Sequence, residues 1–135
     1  EVLLNFAEAQ NEFAGPTAEV YKAVEDIRKR AGLVPFALKA GLSKNQMRDV
    51  IRNERRVEMA FEEQRYWDVR RWKIAESVYN KPLRGMQITK NPDGTFTYKI
   101  IDVSTPVFTS RMYRYPIPYS EIIKNKNLQQ NDGWN

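Results

Sequence analysis

Residues 53 to 72 read NERRVEMAFEEQRYWDVRRW, a stretch dense in Arg and Glu that also carries apolar residues at helical spacing. Wound at about 100° per residue, Met47, Val50, Ile51, Val57, Phe61, Val69 and Trp72 share one face within an arc of roughly 120°. The same arc contains Glu54, Glu58, Arg65 and Asp68, whereas a solvated helix sets its charges on the opposite side. These four charges are therefore expected inside. A buried carboxylate is costly unless it is paired and hydrogen-bonded, and Glu54 and Glu58 stand one turn apart as a repulsive pair. They need cations. Arg65, two turns beyond Glu58, is one expected donor, and Arg55 or Arg56 are near. Arg28 or Arg30, in the IRKRAG end of the preceding helix, could reach across with a guanidinium fork that matches a carboxylate. Asp68 is expected to be paired or to cap backbone amides.

This network of Glu54, Glu58, Arg65, Asp68 and Arg28 is read as structural. Buried carboxylates are also candidate acids and bases, but catalytic ones need a cleft and a second group held across it. The chain has no His and no Cys and shows no metal-ligand spacing. No catalytic residue, cofactor site or metal site is assigned, and the chain is read as a non-enzyme.

The 135 residues could form one domain with a modest core. Val2, Leu3, Phe6, Ala7, Gln10 and Phe13 already show helical periodicity with no capping Ser, Thr, Asp or Asn before them. The chain is accordingly expected to be a C-terminal fragment of a larger domain, with an apolar face on this helix that the remainder would cover. Nothing is apolar for long enough to span a membrane as a helix. The net charge of +5 invites a nucleic-acid partner, yet between Lys44 and Glu76 nine Lys/Arg face seven Asp/Glu and no basic stripe forms. Zero cysteines exclude disulfides, zinc-thiolate sites and thiol catalysis.

Gly15 and Pro16 close the first helix, Thr17 is placed to cap a second running to about Ala31, and Gly32 and Pro35 end it. Joined by so short a loop, the two form an antiparallel helix pair over 1–34. Ser43 is placed to cap a long third helix over 43–78, read as continuous from Lys44 to about Ser77. NPDG at 91–94, between Gln87-Ile88-Thr89 and the alternating Phe96, Tyr98 and Ile100, predicts a β-hairpin with Gly94 where φ must be positive. The hairpin and an extended tail fill 79–135, with one helical turn starting near Ser120.

Taken together, LLNFAEAQNE, VEDIRKRAGL, IRNERRVEMAFEEQRYWDVRRWK and YPIPYSEIIKNKNLQQNDGW resemble the C-terminal region of the SusD/RagB family, outer-membrane nutrient-binding lipoproteins of Bacteroidetes. The four blocks stand in the family's order from Leu3 to Trp134, with the hairpin region between Tyr79 and Ser110 matching least. One departure is Glu63, where the family's motif usually carries Gly. The resemblance implies a mainly α fold of tetratricopeptide-like helix pairs plus a long helix, with a small β-hairpin and extended C-terminal tail. It also implies binding of a glycan or oligosaccharide, or in some cases a peptide, beside a SusC-like TonB-dependent transporter. Such a protein is a surface-exposed lipoprotein of the outer membrane, touching the membrane through a lipidated N-terminus. No ligand-contacting residue carries over, because the family's ligand platforms are mostly loop aromatics outside this region. Trp72 reads as core, Trp67 as a contact to a neighbouring domain or a ligand, and Tyr79, Tyr98 and Trp134 as edge residues. A helical-repeat protein-interaction module with no small-molecule ligand of its own is the alternative function.

Overall fold

The computed structural model describes residues 1–134, in helices α1 (Val2–Ala14), α2 (Ala18–Arg30), α3 (Lys44–Glu58), α4 (Gln64–Arg71), α5 (Ala75–Tyr79) and α6 (Tyr119–Lys124). Strands β1 (Leu83–Lys90) and β2 (Phe96–Ser104) form a two-stranded sheet, and a 3-10 turn covers Ser110–Tyr113. The chain divides into two compact units, Glu1–Trp67 and Asp68–Asn135. The architecture is mainly α with helix pairs of tetratricopeptide type and a small antiparallel sheet.

In the first unit, Gly15 takes φ 85° after α1, and Thr17 occupies the N-cap of α2 in an extended conformation. Arg28, Lys29 and Arg30 fill the last turn of α2, where cations complement the helix dipole. Ser43 and Gln46 form a reciprocal capping box that starts α3. The core gathers Ala7 from α1, Val20, Ala23 and Val24 from α2, and Met47 and Ile51 from α3. Leu4, Ile27 and Met59 form a second cluster nearer the other end. α1 packs along both α2 and α3, whose backbones come less close to each other than each does to α1. The small side chains of Ala7 and Ala23 permit that close approach.

The continuous helix expected over 44–77 is three helices instead. α3 stops at Glu58, and the chain turns sharply through residues in left-handed conformation, Phe61 at φ 66° and Glu63 at φ 61°, before α4 begins. Lys73, at φ 56°, separates α4 from α5. No Gly or Pro lies between Ser43 and Lys81, so nothing in residue type announces either break. The driving contact at the first is tertiary: Met59, just past α3, is buried with Leu4 and Ile27 and holds the chain where it turns. The turn also overturns two core assignments. Phe61 is fully exposed, and Val57 is 61% exposed on the flank of α3. Trp72 is half-buried, with the Arg71 guanidinium 4.8 Å from its ring centroid.

In the second unit Val69, Ala75 and Phe108 form the core. The ring of Tyr113 meets Phe108 edge-on at 4.9 Å, Tyr79 lies at 6.0 Å, and the Asn80 amide hydrogen-bonds both the N–H and the C=O of Phe108. β1 and β2 pair from Leu83↔Ser104 to Lys90↔Phe96 around Gly94 at φ 85°, and the Asp93 carboxylate accepts from the Thr95 N–H and hydroxyl. Side-chain amides bind the tail together: Gln130 donates to and accepts from the Ile117 backbone, and Asn131 donates to the Tyr115 carbonyl at 2.6 Å.

A left-handed conformation costs a residue with a Cβ about 1–2 kcal/mol, and glycine avoids most of that penalty. Glu63→Gly is therefore expected to leave thermal stability unchanged or raised, while Arg56→Gly, on the exposed side of α3, should lower it by about 1 kcal/mol. Melting curves of the two variants and the parent chain check this; a Glu63→Gly loss equal to that of Arg56→Gly would refute it.

Candidate functional site

The charges of α3 fall on two sides of its buried stripe, and each side meets a different helix. Toward α2, Glu54 accepts from the Arg28 guanidinium and Glu58 from that of Arg30. Arg28 also donates from Nε to the Phe36 carbonyl at 2.8 Å, which ties the loop after α2 into the same cluster. Toward α1, Arg48 grips Glu12 with two hydrogen bonds of 2.6 Å, Nε to Oε1 and Nη2 to Oε2. Arg55 donates to the Asn5 amide oxygen at 2.7 Å and lies 3.7 Å from Glu8. Asn11, wholly buried, donates to the Lys44 carbonyl at 3.1 Å.

These pairs differ in setting. Glu54 and Arg55 are among the few charged residues removed from solvent. Glu58 is less enclosed, its partner Arg30 is 74% exposed, and a cavity of about 380 Å³ lined by Leu4, Ile27 and Met59 opens beside the pair. Water screens Arg30–Glu58 and leaves Arg28–Glu54 in a drier place, so the second interaction carries more energy. Asp68 is buried on α4 and accepts from Arg71 Nε at 2.9 Å. Arg65 is carried past the turn onto α4, where it lines a cleft of about 680 Å³ with Phe61, Tyr66 and Trp67. Of the residues singled out in the sequence, Arg28, Glu54 and Glu58 thus stand at one seam, while Arg65 and Asp68 sit on another helix.

Reasoning from sequence missed the α1 side of the seam. Glu12, Asn5 and Glu8 are separated from α3 by more than thirty residues, and only the helix-pair geometry brings them in. The signal was available in part, since Arg48 and Arg55 stand two turns apart on one side of α3. Among the described residues no group of three or more His, Cys, Asp or Glu is placed to hold a metal ion. The aromatics divide likewise: Tyr79 is core-associated, Tyr98 is 63% exposed on β2, and Trp67 is 56% exposed with Tyr66 edge-on at 5.0 Å.

A seam of this kind joins α3 to both helices of the preceding pair. The class it defines is a helix-pair scaffold with ion pairs between its helices. The SusD family model matches residues 1–134, and the chain belongs to that family. It is 31% identical over 137 residues to SusD-like protein P2 of Formosa agariphila, an alignment that covers 98% of this chain and 24% of that protein. The crystal structure of a SusD-like protein from Bacteroides fragilis NCTC 9343 superposes with a TM-score of 0.84 at 37% identity, covering 98% of this chain and 24% of that one. A structure of BT4246, as its selenomethionine form, gives 0.82 at 30% identity and covers 98% and 23%. The chain therefore spans about a quarter of the length of the relatives it matches.

Glu12 gives the seam a pH signature. The hydrogen bonds from Arg48 hold its carboxyl below the usual glutamate range, against the smaller opposing effect of burial. A folded value below the unfolded one means that this stabilisation is present above the unfolded value of about 4.3 and is lost as pH falls through the folded one. Glu12→Gln is expected to melt below the parent chain at pH 7, with the gap closing in acid. Melting temperatures across pH 2 to 7 check it; a gap that widens in acid would contradict the assignment.

Proposed function

We propose that this chain contributes to a glycan-binding protein of the outer membrane, which captures oligosaccharide and passes it to a SusC-like TonB-dependent transporter. The observation that carries the reading is family membership over residues 1–134, together with the three similar proteins whose folds or sequences run along nearly the whole chain. On this reading the protein binds and does not catalyse, and it is held at the cell surface by a lipidated N-terminus. None of the helices among the described residues is long and apolar enough to cross a membrane.

A second reading has its own support. Leu3, Phe6 and Phe13 lie along one exposed side of α1, 45%, 45% and 88% accessible, and Val2 adds to it at 80%. A helix face of that kind is ordinarily covered by protein, as it would be in a helical module that grips a protein surface without a sugar ligand.

Calorimetric titration of the full protein with a panel of starch, mannan, mucin-derived and host oligosaccharides separates the two. Saturable binding of at least one oligosaccharide is expected. Silence across the panel, with retention of the transporter alone, would favour the interaction module and defeat the glycan-binding reading.

A further inference from the structure

The net charge of +5 is unevenly divided. Residues 1–67 hold eleven Lys/Arg and eleven Asp/Glu, while residues 68–135 hold eleven against six, so the whole excess lies in the second unit. Part of it converges on a cleft of about 370 Å³ lined by Lys73, Arg111, Tyr113, Arg114 and Asp132.

The cleft is held in shape. Lys73, in its left-handed conformation, sets its ammonium 4.4 Å from the ring centroid of Tyr113. The Arg111 guanidinium lies 4.6 Å from the Trp134 ring centroid, and the Trp134 indole N–H donates to the carbonyls of Arg111 and Arg114 at 3.0 Å each. Gly133, at φ 80°, lets the two segments approach so closely that a Cβ there would stand 2.8 Å from Arg111 Cβ. Three cations around one cleft repel one another. Arg114 has Asp132 at 3.2 Å, but the Asp132 side chain is 96% exposed, and a pair in open water offsets little of that repulsion. Among the described residues Lys73 and Arg111 have no carboxylate at ion-pair distance, and the Tyr113 hydroxyl is buried without a hydrogen-bond partner. Lys73 takes its left-handed conformation where it ends α4, with the Ile74 N–H donating to the Val69 carbonyl, and that turn places its cation with those of Arg111 and Arg114 at a cleft open to an anion.

We propose that this cleft binds the anionic group of an acidic sugar, the carboxylate of a uronic acid or a sulfate ester. Arg111 and Arg114 offer planar donors to its oxygens and Lys73 a point charge. A cleft of this size admits one sugar ring with its substituent, beside the side chain of Tyr113. The inference rests on the glycan-binding reading and names the class of glycan.

The test is calorimetric titration of the full protein with tetragalacturonate, a sulfated galactose tetrasaccharide and maltotetraose, at low and high salt. At least one acidic tetrasaccharide should bind, about tenfold or more tighter than maltotetraose, and its affinity should fall with salt. The tighter acidic arm identifies carboxylate or sulfate as the recognised group. Lys73→Gln and Arg111→Gln should each weaken that binding by about tenfold, Arg111→Lys should recover part of it, and Lys81→Gln, outside the cleft, should change nothing. Binding of maltotetraose as tight as the acidic sugars, or Gln variants that melt like the parent chain and bind undiminished, would overturn the inference while leaving glycan binding in place. Silence toward all three sugars, with salt-dependent retention of an acidic protein by the cleft, would overturn it in favour of a protein contact.

Discussion

Everything in the first unit depends on how the charges of α3 are neutralised. Glu54 and Arg55 are adjacent, both are buried, and they point to different neighbours. Glu54 is removed from water where Arg28 reaches it from α2, and Arg55 where Asn5 and Glu8 receive it from α1. A buried ion pair adds little net stability over an apolar contact, but leaving one member alone is expensive. The seam therefore acts through what it forbids: any sliding or rotation of α3 against the helix pair strands a charge. Because the backbones of α2 and α3 do not approach closely, long side chains span the gap that α1 leaves between them. The small apolar core of Ala7, Val20, Ala23, Val24, Met47 and Ile51 supplies burial, and the seam selects the one arrangement in which that burial occurs.

Much of this was legible in the residues. Gly15-Pro16 and Ser43 mark helix ends through chemistry that acts locally, and NPDG needs only its own four residues to specify a turn. The burial of Glu54 was legible too, because it falls in the same arc as Met47 and Ile51, whereas Glu58, in that arc as well, is only partly enclosed. What escaped was whatever depends on distant partners. Phe61 lies in the apolar arc of an ideal continuous helix and is fully exposed, since Met59 is anchored by Leu4 and Ile27 and the chain turns away after it. The left-handed residues Phe61, Glu63 and Lys73 belong to types that seldom adopt that conformation. At Glu63, the motif position where glycine is usual, the turn persists without it.

The two units carry different chemistry. In Glu1–Trp67 positive and negative residues balance, and they are engaged with one another across helix surfaces. In Asp68–Asn135 the excess is positive, and the cleft of Lys73, Arg111 and Arg114 gathers three cations against the single carboxylate of Asp132. Two of those three cations, Arg111 and Arg114, stand in the tail, where the sequence has neither helical nor strand periodicity to draw attention to them.

Arg28 and Glu54 act as one unit. A double-mutant cycle with Arg28→Met and Glu54→Leu, followed by denaturant unfolding, tests it most directly. Each single change should cost about 3 to 5 kcal/mol because it strands the opposite charge. The double variant should cost much less than their sum, giving a coupling of about 2 kcal/mol or more. Additivity within about 0.5 kcal/mol would contradict the account, showing that the two charges do not depend on each other for their burial.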